Sequence, residues 1–130
     1  MKRHAALQNL SREHHTALKL ARQARFGCDA GVDEAIAQAA LAIREVFPEE
    51  LEAHFQTEEA DLLPALAEAG ASELVARTLA EHAELRDLNR RLAEPDIDTL
   101  ARFAVLLNDH VRFEERELFE TAQRLLYPEQ

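Results

Sequence analysis

The stretch HFQTEEADLL, His54 to Leu63, returns in altered form as HVRFEERELF, His110 to Phe119. In each, a histidine precedes a glutamate by four residues: His54 with Glu58, and His110 with Glu114. At about 100° per residue, side chains four apart stack one turn above the other on a helix, so each pair shares a face. The rest of that face is apolar in both. Phe47, Leu51, Leu62 and Ala65 align with the first pair, and Phe103, Leu106, Leu107, Leu118 and Thr121 with the second. Two helices are thus predicted to turn polar groups inward.

Working outward, the remaining chain also reads as helix. Ala, Leu, Glu and Arg dominate, all good helix formers, and no stretch alternates with a period of two. A first helix is expected from about Ser11, a plausible N-cap, to Phe26, ended by Gly27 and Gly31. A second runs from about Asp33 to Ala69, with Pro48 and Pro64 each expected to kink it or mark a boundary. The third spans Ser72 to Ala93, capped by Ser72, and the break Glu94-Pro95-Asp96 leads into a fourth from Ile97 to Leu126. Short connections make sequential helices antiparallel neighbours. The expected fold is therefore all-α, an antiparallel up-down-up-down four-helix bundle forming one domain over residues 1–130.

Composition excludes some roles. A net charge of −10 argues against nucleic acid or an anionic membrane as the main partner, and no apolar run has the length of a bilayer span or a signal peptide. The lone Cys28 has no internal disulfide partner, which fits a reducing compartment. A cytoplasmic protein is expected.

The other two helices also point histidines inward. His82 lines up with Val75, Leu79 and Leu85, and His14 shares its side with Leu10, Ala17, Leu18 and Ala21, while His15 sits about a quarter-turn away. Four histidines and two carboxylates in an apolar interior are costly. An unsatisfied buried polar group costs about 1–3 kcal/mol and an unpaired buried charge several, against a typical domain stability of about 5–15 kcal/mol. Something must compensate, and imidazole with carboxylate on facing helices of a bundle is a ligand set for transition-metal ions.

Together, LSREHHTAL, HFQTEEADLLPAL, EHAEL and HVRFEERELF resemble the hemerythrin-like HHE cation-binding family over nearly the whole chain. The resemblance implies a four-helix bundle with a non-haem, carboxylate-bridged di-iron centre that binds small diatomics such as dioxygen or nitric oxide. It implies His14, His54, His82 and His110 as terminal ligands and Glu58 and Glu114 as bridges, with His82 and His110 on one iron and His14 and His54 on the other. Two positions stay open. A His-x-x-Leu pattern favours His15 over His14, and the oxygen carriers place their fourth-helix carboxylate five residues after the histidine, at Glu115 rather than Glu114. The oxygen carriers also bear a second third-helix histidine where this chain has Arg86, which cannot ligate iron. The set then looks more like four-histidine members linked to nitric-oxide response, iron sensing or iron-centre repair. Two other readings are an iron-storage or buffering module, and a structural bundle whose acidic surface binds a partner protein. Outside the set, His4 reads as solvated, Glu59 and Glu117 as solvent-facing, and Arg86 as an ion-pair partner.

Overall fold

The computed structural model describes residues 3–128. Four rods run antiparallel in sequence order. The first is α1 (Ala5–Ala30). The second comprises α2 (Asp33–Val46), α3 (Glu52–Thr57) and α4 (Leu63–Glu68), joined by π-helical turns at Phe47–Leu51 and Glu58–Leu62. The third is α5 (Ser72–Arg91), and the fourth is α6 (Ile97–Phe113) and α7 (Phe119–Leu126) around a π-helical turn at Glu114–Leu118. Pairings along the rods fix the directions: Glu59 meets His82 while Glu52 meets Arg86, and Arg102 meets Glu84 while Arg77 approaches Glu117. Among the described residues there is no strand.

Helix ends depart from expectation in instructive ways. α1 begins about two turns early, because Leu7 and Leu10 are buried and His4, not Ser11, caps it: the His4 ring accepts from the Ala6 N–H. Ser11 instead donates its hydroxyl to Glu115. His4 is not merely solvated, since its ring stacks on Tyr127 at 3.9 Å. Gly27 does not end α1 but lies within it, where a Cβ would stand 2.9 Å from that of Ala39. Its role is to let the first two rods touch. The stop is Gly31, with φ of 71° and its N–H on the Gly27 carbonyl. Ser72 is the first residue of α5 and offers no side-chain cap, whereas Asp96 caps α6 by accepting from the Thr99 N–H.

Each proline marks a boundary, as expected, standing second in its element. Pro48 lies inside the first π turn and Pro64 just beyond the second, where the regular ladder is already interrupted and a missing N–H costs little. Each π turn adds a residue: the N–H groups of Glu52, Leu63 and Phe119 reach back five positions, to Phe47, Glu58 and Glu114. The inward stripe then slips by one. Leu66 is buried where the regular period predicted Ala65, and Ala122 where it predicted Thr121. In α5 the buried stripe runs through Thr78 rather than Leu79, which is exposed. Thr78 satisfies its hydroxyl on the Leu74 carbonyl.

Two apolar clusters result. One gathers Leu20, Ile43, Phe55, Leu88, Phe103 and Leu107, and the other Leu7, Leu63, Leu66, Phe113, Phe119 and Ala122. Between them lies a polar layer.

Candidate metal centre

The layer contains His14, His54, Glu58, His82, His110 and Glu114, all buried and both glutamates completely so. Their ligand atoms fall into two groups, each within 4.8 Å: His14, His54, Glu58 and Glu114, then Glu58, His82, His110 and Glu114. The glutamates belong to both. Glu58 turns Oε2 towards His54 Nε2 at 3.1 Å and Oε1 towards His82 Nε2 at 3.0 Å. Glu114 turns Oε1 towards His14 Nε2 at 2.8 Å and Oε2 towards His110 Nε2 at 2.9 Å. Each carboxylate therefore presents one oxygen to each histidine pair.

The opposite ring nitrogens are held by a second set of acids. His14 Nδ1 meets Glu115 at 2.6 Å, His54 Nδ1 meets Glu13 at 2.7 Å, His82 Nδ1 meets Glu59 at 2.7 Å and His110 Nδ1 meets Glu81 at 2.6 Å. The pattern is cyclic, since every rod lends an acid to a histidine on the next rod. Carboxylates on Nδ1 fix each ring so that Nε2 faces the centre, as around many metal sites. Three of these acids are held in turn by arginines: Glu115 by Arg3, Glu59 by Arg86 and Glu81 by Arg77.

The resulting charges follow from these contacts. Burial alone pulls His54 down, but Glu114 and Glu58 push it up to about 11. His110 is likewise raised, to about 10, because Glu114, Glu81 and Glu58 outweigh its burial. His14 and His82 are raised for the same reason. Burial opposes ionisation of Glu114, yet the surrounding imidazoles, His110 first, hold it well below the usual carboxylate range. Glu115 is held at about 2 by His14, Ser11 and Arg3 against a similar penalty.

Does a metal fit? His54 Nε2, His82 Nε2, His110 Nε2, both oxygens of Glu58 and Glu114 Oε2 are buried with no hydrogen-bond partner. Their approaches to one another are close but poorly directed, so they leave donor and acceptor capacity unused in a solvent-free layer, where it is expensive. All these atoms are metal donors, and bonds of about 2.0–2.2 Å to a common ion would place them up to about 4.4 Å apart, near the spread observed. The residues fit.

The alternatives left open by the sequence occupy distinct places. His15 is exposed and joins neither group, whereas His14 joins the first. Glu115 is half-buried and holds His14 from outside, whereas Glu114 faces all four rings. Arg86 is engaged outside the two groups: its guanidinium grips Glu52 and Glu59. Glu59 is thus not simply solvent-facing. Sequence reasoning missed Glu13, Glu59 and Glu81 as orienting acids. A signal existed, for each adjoins a layer residue in the chain, as Glu13-His14, Glu58-Glu59 and Glu81-His82.

An all-helical bundle with a buried layer of paired histidines and shared carboxylates is the build of a metal-binding helical bundle. The chain matches the family described as the hemerythrin HHE cation binding domain over residues 5–122, and it belongs to that family. No curated protein and no solved structure matches it. No described helix is long and apolar enough to cross a membrane.

Proposed function

We propose that the layer holds a carboxylate-bridged pair of non-haem irons and that the protein binds or senses a small diatomic, dioxygen or nitric oxide, in gas response or iron homeostasis. The observation that carries the reading is the division of each glutamate's two oxygens between the two histidine pairs, at 2.8–3.1 Å. His14 and His54 would hold one iron, His82 and His110 the other, and Glu58 and Glu114 both. Imidazole nitrogen with carboxylate oxygen suits iron better than calcium or magnesium. When bound, the ions supply open coordination positions for a diatomic and electrons for its reduction.

The protein's own part is orientation and exclusion. The four Nδ1 acids keep Nε2 directed inward, and the two apolar clusters keep bulk water from the layer. Beside His14, His54 and His110 lies a cavity of about 10 Å³ walled by Ala17, Leu51, Phe55 and Leu107. That is near the minimum for one water-sized molecule, which favours a diatomic over any larger substrate. Arg86 stands where oxygen carriers of the resembled type have a further histidine, so regulation or repair is favoured over oxygen carriage.

Protein produced in iron-rich medium is expected to contain two irons per chain, with Mössbauer and optical spectra that change on exposure to oxygen or nitric oxide. An iron site inert to both gases would leave storage as the better reading. Fewer than two irons would overturn the paired centre.

A further inference from the structure

Three of the four acids on Nδ1 are held from outside by an arginine, and the fourth is not. His82 stacks on Phe55 at 4.0 Å, and Arg86 both holds Glu59 and lies over that phenyl ring. His14 stacks on Phe119 at 5.3 Å, and Arg3 both holds Glu115 and lies over that ring. At His110, Arg77 holds Glu81 and lies 3.9 Å from the centre of Phe113, a ring 6.4 Å from the imidazole. His54 has only Glu13. Like His110 it has only tilted or edge-on aromatic neighbours, but among the described residues no cation pairs with Glu13. The Glu13 side chain is 51% exposed, against 30% for Glu115, 26% for Glu59 and 16% for Glu81. Glu13 also lines the small cavity beside His14, His54 and His110.

We infer that the quarter formed by Glu13 and His54 is the port through which divalent metal cations enter and leave the layer, Glu13 being the carboxylate that an arriving cation meets first. The inference rests on the metal-binding reading above. A hydrated dication seeks an accessible anionic oxygen donor and avoids fixed positive charge. Arg3, Arg77 and Arg86 stand guard at three of the acids, leaving Glu13 as the approach with no guanidinium paired to it among the described residues. Inward of it, His54 Nε2 is buried and without a hydrogen-bond partner, a second donor on the same path. Passing the ion from Glu13 to the layer requires one hydrogen bond to open, between Glu13 and His54 Nδ1. Elsewhere an arginine clamp must open as well. Glu13 is a positioning and capture residue, and its effect should fall on rates more than on final occupancy.

The test follows ferrous ion alone, under anaerobic conditions, by stopped-flow uptake into metal-free protein and by release to 2,2′-bipyridine. Glu13→Gln keeps an oxygen that accepts from His54 and removes the charge. It is expected to slow uptake and release together by about tenfold while iron content stays at the wild-type level. Glu81→Gln makes the same change behind an arginine and should weaken retention while leaving the uptake rate within about twofold. Glu13→Asp keeps the charge and should keep uptake within about threefold of wild type, which covers the case that the Gln variant fails to fold. Equal slowing by Glu13→Gln and Glu81→Gln, or unchanged uptake in Glu13→Gln, would overturn the port and leave the centre standing. Wild-type protein that takes up no iron would overturn both.

Discussion

The His82 and His54 quarters of the layer share an imidazole–carboxylate contact of the same length, 2.7 Å, and differ in what lies outside it. Around His82, Glu59 is locked by Arg86, which is itself bound to Glu52, and Phe55 lies flat against the ring. Around His54 the acid ends in solvent. The difference separates two properties that a distance merges. Orientation of a ligand needs one well-placed acceptor, whereas retention depends on how firmly that acceptor is held by the next group out.

The largest expected effect abolishes the comparison. Glu58 faces both histidine pairs, so Glu58→Ala should remove both metals, whereas His54→Ala should leave the His82–His110 group able to keep one; metal analysis of the purified variants decides. Next comes acidity. With no metal bound, His54 and His110 titrate at about 11 and 10, above the ordinary 6.5, so each adds stability that is complete below pH 6.5 and lost as pH climbs towards those values. Metal binding requires neutral rings and so expels protons and strengthens with pH. Melting curves should therefore trend oppositely across neutral pH, falling for metal-free protein and rising for the loaded form. Parallel curves would mean that the metal does not compete with these protons.

Arg86→Ala sharpens the contrast by making the His82 quarter resemble the His54 quarter. It should lower metal-free stability by about 1–2 kcal/mol in denaturant titrations and speed iron loss to a chelator. Gly27→Ala tests the backbone contact that brings the first two rods together. The crowding against Ala39 should cost about 1–3 kcal/mol, partly offset by about 1 kcal/mol of helix propensity, a small net loss measurable in the same titrations. His15→Ala should change stability by less than about 0.5 kcal/mol and leave metal content untouched.

Much of this architecture is legible in the residues. Gly31, Gly70 and Pro95 mark the three turns, and the repeated His-x-x-x-Glu places four residues of the layer, because both signals are local and periodic. What escapes is non-local. The acid on each Nδ1 comes from a neighbouring rod, so Glu13, Glu59 and Glu81 fall off their own helix's apolar stripe and look like ordinary surface charge. The start of α1 is misplaced because Ser11 is a good cap by type, whereas burial of Leu7 and Leu10 in the cluster with the second and fourth rods outweighs capping preference. Leu79 was expected inside from its spacing with His82, and the packing of α5 chose Thr78 instead.

The π turns at Glu58 and Glu114 carry one consequence for how the molecule is assembled. Both begin on a layer glutamate and both insert a single residue, so the second and fourth rods leave the polar layer rotated by about 100° from the phase in which they enter it. The layer is thus a splice between two shorter bundles whose helical frames do not continue into one another. Closing either turn into regular α-helix without losing a residue would bring Ala65 or Thr121 into the seats of Leu66 or Ala122, whereas deleting one residue from the turn would restore an unbroken frame and leave Leu66 and Ala122 where they are.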